Sequence, residues 1–331
     1  MTVLLAARNL SRSFAVGRTW IPGSGQTLRA VDAVDLEMRR GETLGLVGES
    51  GSGKSTLGRC LARLLDVTDG MVEFDGQDVT ALKGSALRPF RRRVQMIFQD
   101  PSSSLNPQRR VGDILAEPLA VHGIRARAEI PARLAELMNL VGLPETALRR
   151  FPHEFSGGQR QRIGVARALA MEPDLIVADE PVSALDVSVQ AQVVNLFADL
   201  RARLSLTYLI IAHDLGVVRQ VSDRVAIMYL GSIMETGETD LVFDTPAHPY
   251  TQALISAIPV PVVGPGARRD RIVLTGEIPS PTNPPKGCKF VTRCPISQDR
   301  CRAERPVLRA LTDGRSVACH FPQSGAPKDM P

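Results

Sequence analysis

Aromatic residues are scarce, making up only 4% of the 331-residue chain with a single Trp. That argues against a surface on which successive nucleic-acid bases stack. A strong charge of one sign is also missing. The formal net charge of +5 suits nucleotide phosphates or an anionic membrane surface and does not by itself indicate nucleic acid. No uninterrupted apolar run approaches the roughly 20 residues that a bilayer requires. The short apolar stretch in MTVLLAARNLSRSF follows no basic region, so it reads as a first strand rather than a signal peptide. These absences lead us to expect a cytoplasmic protein, with any membrane association made through a partner. Cysteine is sparse and uneven. Cys60 stands alone, while Cys288, Cys294, Cys301 and Cys319 crowd the C-terminal end. In a reducing compartment such crowding suggests a metal site before disulfides.

Hydrophobic residues, at 44%, suffice for a sizeable core, and the length fits one α/β domain plus an extension. Val3–Ala6 and Ala33–Met38 read as antiparallel strands around loop chemistry at Ile21–Gln26. Thr43–Val47 is an apolar strand entering a glycine-rich turn and a helix, Ser55–Leu65. Residues 71–75 and 94–98 read as further strands. From 101 to about 165 the apolar period becomes helical, with Ile114, Leu115 and Leu119, then Leu134, Leu137, Met138 and Val141. Leu175–Ala178 is a continuous apolar run, as in a parallel strand buried on both faces. A helix (Val189 to Leu204) and strands at 208–211, 225–229 and 232–235 follow. Alternating strands and helices argue for an α/β fold. From about 246 proline accumulates (Pro259, Pro261, Pro265, Pro279, Pro281, Pro284, Pro285) and regular structure is expected to thin out. There is no internal repeat.

Gly48-Glu49-Ser50-Gly51-Ser52-Gly53-Lys54-Ser55-Thr56 matches GxxxxGK[ST] between a strand and a helix, the context this phosphate-binding loop requires. Glycines let the backbone wrap phosphate oxygens, and amide hydrogens and the helix N-terminus supply positive potential. Lys54 is expected to reach the β- and γ-phosphates of ATP, and Ser55 to bind Mg2+. Leu175–Ala178 ends in Asp179 and Glu180. Asp179 is placed to hold Mg2+ and Glu180 to orient or deprotonate the attacking water. Acids after a strand are ordinary in loops, and the pair gains meaning only beside the phosphate loop.

Phe155-Ser156-Gly157-Gly158-Gln159 resembles the ABC signature Leu-Ser-Gly-Gly-Gln, with Phe155 in place of leucine. Ser-Gly-Gly is equally ordinary helix-cap chemistry, and the segment can serve both purposes. Other elements follow in the order of the ABC ATPase family. Gln99 resembles the Q-loop glutamine, which touches Mg2+ and water. Ser183-Ala184-Leu185-Asp186 resembles the D-loop, His213, 33 residues after Glu180, the switch histidine, and Phe14 the aromatic that stacks on adenine. Taken alone, a lone His is more often structural and a lone Phe more often core.

The resemblance implies a P-loop NTPase of the ABC ATPase type: a mixed sheet core with antiparallel β and helical subdomains. Two subunits would close head to tail on two ATP molecules. Each ATP would be served by one chain's Lys54, Asp179 and Glu180 and by the other chain's Ser156, Gly157, Gly158 and Gln159. The cassette would span 1–245, with a helical subdomain at about 101–165, and a C-terminal domain 246–331.

Phe98-Gln99-Asp100-Pro101-Ser102-Ser103-Ser104-Leu105-Asn106-Pro107 resembles the extended Q-loop of oligopeptide, dipeptide and nickel importers. His248-Pro249-Tyr250-Thr251-Gln252-Ala253-Leu254 resembles the C-terminal hallmark of the same group, although a helix start after a proline-containing turn would look alike. In that group the ATPase docks on two membrane permease subunits at the cytoplasmic face of the membrane. It pairs with a second ATPase, identical or homologous, and serves an extracytoplasmic substrate-binding protein. The alternative is a soluble ABC ATPase acting on nucleic acid or ribosomes. No coiled-coil insertion of the DNA-repair type separates Lys54 from Ser156, and there is one cassette rather than the two usual in translation factors.

Five, six and seventeen residues separate Cys288, Cys294, Cys301 and Cys319. This is not the paired C-x-x-C of a zinc ribbon. Four thiolates can hold zinc or an iron–sulfur cluster, or remain unliganded. The spacing resembles the C-terminal motif of dipeptide-type ATPases, which implies a [4Fe–4S] cluster, with zinc the lesser alternative. Cys60 reads as a small core residue.

Overall fold

In the computed structural model the described residues are 2–16, 26–100, 104–183, 185–258 and 271–323. Most of the loop at 21–26, Pro101 to Ser103, Ala184, Pro259, Pro261 and Pro265 lie outside them. Two compact units are present, each assembled from non-contiguous segments. Met1–Leu4, Met38–Thr43 and Ala81–Ile211 form the first, and Leu5–Glu37, Leu44–Thr80 and Ala212–Pro331 the second.

The second unit holds most of β1 (Val3–Val16), β2 (Gln26–Arg39) and β3 (Thr43–Val47), together with β4 (Asp69–Phe74) and β5 (Gln77–Asp78). β1 and β2 run well past the stretches expected from hydrophobicity. β1 buries Leu4 to Ala7 and Leu10, but its polar continuation, Ser11 to Val16, is only half-buried or exposed. One solvated face is normal for an antiparallel sheet, so polarity did not end the strand. The order is β2-β1-β4-β5, with Leu5 opposite Phe74 and a register shift between Arg8 and Ser11.

The first unit carries a parallel ladder of β6 (Val94–Ile97), β7 (Leu175–Asp179) and β8 (Thr207–Ala212), with β7 the parallel strand that its apolar run suggested. All residues of β7 and β8 are buried. Helices Val111–Val121, Ile130–Leu140 and Gly157–Leu169 realise the helical period. Their buried stripe includes Ile114, Leu115, Leu119, Leu134, Leu137 and Met138.

In the second unit β3 runs parallel to β9 (Arg224–Tyr229), and β9 turns antiparallel into β10 (Ser232–Glu238). The far side of β10 pairs with β12 (Ser316–Val317), which pairs with β11 (Arg309–Ala310). Helix Pro249–Ser256 and the cysteine-bearing tail pack on this end. Tyr229, Tyr250 and Phe290 touch one another, with ring centroids 4.7 to 5.3 Å apart. All three are buried, an arrangement that adds about 0.5–1.5 kcal/mol per aromatic pair beyond area burial.

Candidate functional site

The phosphate-loop sequence does what its strand–turn–helix context dictates. β3 ends at Val47, the loop turns through residues 48–53, and a helix runs Lys54–Leu61. Gly53 has φ +102°, and a Cβ there would lie 2.0 Å from the Ala30 carbonyl oxygen, so no other residue fits. Lys54 is buried, and its Nζ donates to the carbonyls of Gly48 (2.7 Å) and Glu49 (2.9 Å). Ser52 N–H donates to the same Glu49 carbonyl at 3.1 Å. Ser50, Gly51, Ser55 and Thr56 complete the turn and the first helical residues. Cys60 is fully buried behind the loop, and burial pushes its thiol up to about 11. It is an inert core residue.

A second set of candidate residues gathers in the first unit, at the C-terminal ends of its parallel strands. Asp179 closes β7, 2% exposed. Glu180 follows with φ +47°, an uncommon backbone for a residue with a side chain, and its N–H donates to the Ile211 carbonyl at 2.9 Å. Gln99, two residues past β6, donates from Nε2 to the Glu180 carboxylate at 2.8 Å. Ser183 Oγ donates to the Glu180 carbonyl at 3.1 Å, so the D-loop segment is tied back to the acid. Leu185 and exposed Asp186 lead into helix Val187–Leu204.

Ser156 is the N-cap of helix Gly157–Leu169. Its Oγ accepts from Gln159 N–H at 3.4 Å, and Gln159 Oε1 accepts from Ser156 N–H at 3.1 Å. This reciprocal capping box confirms the cap reading of Ser-Gly-Gly-Gln as local structure. Gly158 is fixed by packing, since a Cβ there would meet Val189 Cγ1 at 2.3 Å. Arg167 on the same helix donates to the Ser104 carbonyl, which anchors the described end of the extended Q-loop.

In the second unit His213 is exposed, immediately after β8, and Asp214 caps helix Leu215–Val221. Phe14 is half-buried on β1, with the Arg12 guanidinium 4.6 Å from its ring centroid.

The His-Pro-Tyr segment begins helix Pro249–Ser256. His248 caps it, with Nδ1 accepting Tyr250 N–H at 3.0 Å. Burial drives the imidazole down to about 3, so it is neutral and can accept. The Glu235 carboxylate of β10 accepts the N–H groups of Ala247 (2.8 Å) and His248 (2.9 Å). The Tyr250 phenol oxygen accepts Glu49 N–H of the phosphate loop at 2.9 Å. Arg293, which sequence reasoning did not single out, donates to both carboxylate oxygens of Glu49, at 2.7 and 3.1 Å. No local signal could have found it, because the partners lie 244 positions apart.

All four tail cysteines line one small cavity, together with His248, Phe290 and Phe321. Burial pushes the Cys288 thiol up to about 11 and raises Cys294 and Cys319 as well. Among the described residues no three His, Cys, Asp or Glu side chains converge tightly enough to hold a metal ion. The tail is fixed independently by buried charge. Lys289 Nζ lies 2.7 Å from Asp32, and Arg305 lies 2.9 Å from the same carboxylate. Burial alone would raise Asp32, but these cations hold it below its ordinary value.

Residues 31–183 match the family model described as ABC transporter, and 234–301 match that of the oligopeptide/dipeptide transporter C-terminal region. A putative peptide import ATP-binding protein of Brucella abortus is 55% identical over 95% of this chain and 92% of its own. One from Brucella ovis is 51% identical over 96% and 98%. The ATP-binding cassette MJ0796, in a dimeric post-hydrolysis state bound to ADP and Pi, superposes with TM-score 0.64 at 27% identity, covering 71% of this chain and 99% of its own. The cbiO1 protein of Clostridium perfringens, part of the ABC transporter complex cbiONQ, gives TM-score 0.63 at 25% identity, covering 73% and 91%. Among the described residues no helix is long and apolar enough to cross a membrane. With its strand–loop–helix phosphate loop, parallel-strand acids and capped signature helix, the chain belongs to the ABC transporter family as an ATP-hydrolysing cassette.

Proposed function

We propose that this chain powers an ABC importer for di- or oligopeptides, or nickel-like substrates, across the cytoplasmic membrane. The observation that carries this reading is the conjunction of an intact set of cassette motifs with the His248-Pro249-Tyr250 segment, which falls inside the stretch matched by the oligopeptide/dipeptide transporter C-terminal model. The cassette is assigned to 1–245, with its helical subdomain at about 101–165, and the transporter-type C-terminal domain to 246–331.

Each residue has a role in the reaction. The loop from Gly48 to Thr56 wraps the phosphates of ATP, with Lys54 neutralising charge and Ser55 and Asp179 holding Mg2+. Gln99 orients the Glu180 carboxylate, which positions the attacking water for in-line displacement. His213 contacts the γ-phosphate and Phe14 the adenine. Ser156 to Gln159 serve the ATP of the partner subunit, and Ser183 to Asp186 cross the dimer interface. Closure on ATP moves two permease subunits at the cytoplasmic face, and substrate arrives on an extracytoplasmic binding protein. The second ATPase is an identical chain or a homologue.

Cys288, Cys294, Cys301 and Cys319 are assigned as ligands of a [4Fe–4S] cluster. The donor chemistry suits such a group: four thiols line one small cavity, and thiolates are the ligands that iron–sulfur clusters take. When bound it would supply a structural staple for a proline-rich tail. Iron and labile-sulfide analysis of anaerobically purified protein is expected to give four of each per chain. Iron-free, colourless protein from that preparation would remove this assignment.

The transport reading is tested by purifying the tagged chain from membranes of its native host. Two permeases are expected to co-purify, and ATP turnover in vesicles containing them is expected to rise with a peptide-loaded binding protein. Recovery with ribosomes or nucleic acid instead would overturn it.

A further inference from the structure

Every polar group of Glu49 is engaged, and two of the engagements come from the C-terminal region. Its N–H goes to the Tyr250 phenol oxygen at 2.9 Å. Its carbonyl receives Lys54 Nζ and Ser52 N–H. Its carboxylate is gripped by both Nη atoms of Arg293. The grip is sheltered, with the Arg293 side chain 10% exposed and that of Glu49 25% exposed. The guanidinium also sits 5.9 Å from the Tyr229 ring centroid, and Tyr229 packs on Tyr250 and Phe290. Held by its fork and by this aromatic group, Arg293 has little freedom to leave.

The chemistry of the loop makes this grip consequential. A loop built to receive a polyphosphate carries a carboxylate at its second position. An uncompensated negative charge there repels the ligand in a sheltered, low-dielectric setting. An N–H with no acceptor would also let the loop relax away from its phosphate-ready turn.

We propose that Arg293 and Tyr250 are positioning residues for the phosphate loop, with Arg293 neutralising Glu49 and Tyr250 fixing its main chain so that the loop can receive ATP. The C-terminal region thereby sets nucleotide affinity without touching nucleotide. This rests on residues 48–56 being the phosphate loop.

The test is titration calorimetry of Mg-ATP into the purified full-length chain. R293Q is expected to raise Kd about tenfold, the scale of losing a sheltered charge-assisted fork. R293K, which keeps the charge without the fork, is expected at about threefold. Y250F still offers a ring but no phenol oxygen, and is expected at about fivefold. The decisive variant is R293Q combined with E49Q, which removes the stranded carboxylate and is expected to bring Kd back to within about threefold of the parent. A role for Arg293 in merely holding the tail would give no such rescue. Parent-like Kd for both R293Q and R293K, or an R293Q defect that E49Q leaves unchanged, would overturn the proposal. If R293Q does not fold, R293K with and without E49Q answers the same question. K54A separates the two layers. Parent-like binding by K54A means the loop assignment itself is wrong, whereas loss in K54A with none in R293Q or R293K sinks only the positioning role.

Discussion

Gln99 Nε2 donates to the carboxylate of Glu180 at 2.8 Å, which joins the segment that follows β6 to the residue after β7. The carboxylate is thereby aimed by a neutral donor that does not compete with it for a proton. Q99A is expected to lower kcat about tenfold while changing Kd for ATP less than about twofold, since orientation rather than binding is lost. Steady-state ATPase assays paired with nucleotide titration measure both. A change confined to Kd would contradict the orienting role.

Glu180 sits at φ +47° with its N–H tied to Ile211 and its carbonyl to Ser183, so E180Q should leave the backbone in place. That variant is expected to bind ATP normally, lose at least about 100-fold in kcat, and accumulate as a dimer in the presence of ATP. Size-exclusion chromatography with and without nucleotide reads the last point. Turnover within threefold of the parent would remove Glu180 from the chemistry.

Ser156 allows the observed cap and the proposed phosphate contact to be separated. S156A removes a cap worth about 1 kcal/mol, for an expected fall of about 2–4 °C in Tm. S156D keeps the cap but brings a negative charge to the residue assigned to the partner's γ-phosphate. It is expected to match the parent in Tm and lose ATPase activity. Full activity in S156D would leave the segment with its capping duty alone.

Gly53→Ala would place a Cβ 2.0 Å from the Ala30 carbonyl oxygen at φ +102°. The cost should exceed about 1 kcal/mol, and displacement of the loop is expected to abolish nucleotide binding. Calorimetric titration beside a thermal melt distinguishes the two effects.

Phe290 is fully buried against Tyr229 and Tyr250. F290A is expected to destabilise the tail by about 3–5 kcal/mol, detected as new cleavage between 271 and 323 in limited proteolysis. An unchanged digestion pattern would argue that the tail is held by its buried ion pairs alone.

The local structure of the sequence motifs was legible because each motif is local. Gly48 to Thr56 announce a turn, Leu175 to Ala178 a buried parallel strand, and Ser156 to Gln159 a capped helix, each within a few residues. The four cysteines were legible as a group for the same reason, and they do line one cavity. What escaped was set by partners far along the chain. The polar half of β1 is a strand because β4 pairs with it through Ser11 and Asp69, which no apolar alternation records. β11 and β12 are two residues each, too short for a period to register. Arg293 looked like any surface arginine beside a cysteine. The second unit also draws on both ends of the sequence, and composition along the chain cannot reveal an interleaving of this kind.

The pairing of Ser316 and Val317 with β10 has a practical consequence. Those two residues pair with Thr236 and Glu235 of β10, and Glu235 is fully buried. Shortening the chain ahead of residue 309, as a minimal cassette would require, removes that pairing and leaves this edge of β10 open as a template for another molecule's strand. Such a fragment is expected to self-associate during purification, so shortened versions of this protein should be cut beyond residue 323 rather than at the end of the nucleotide motifs.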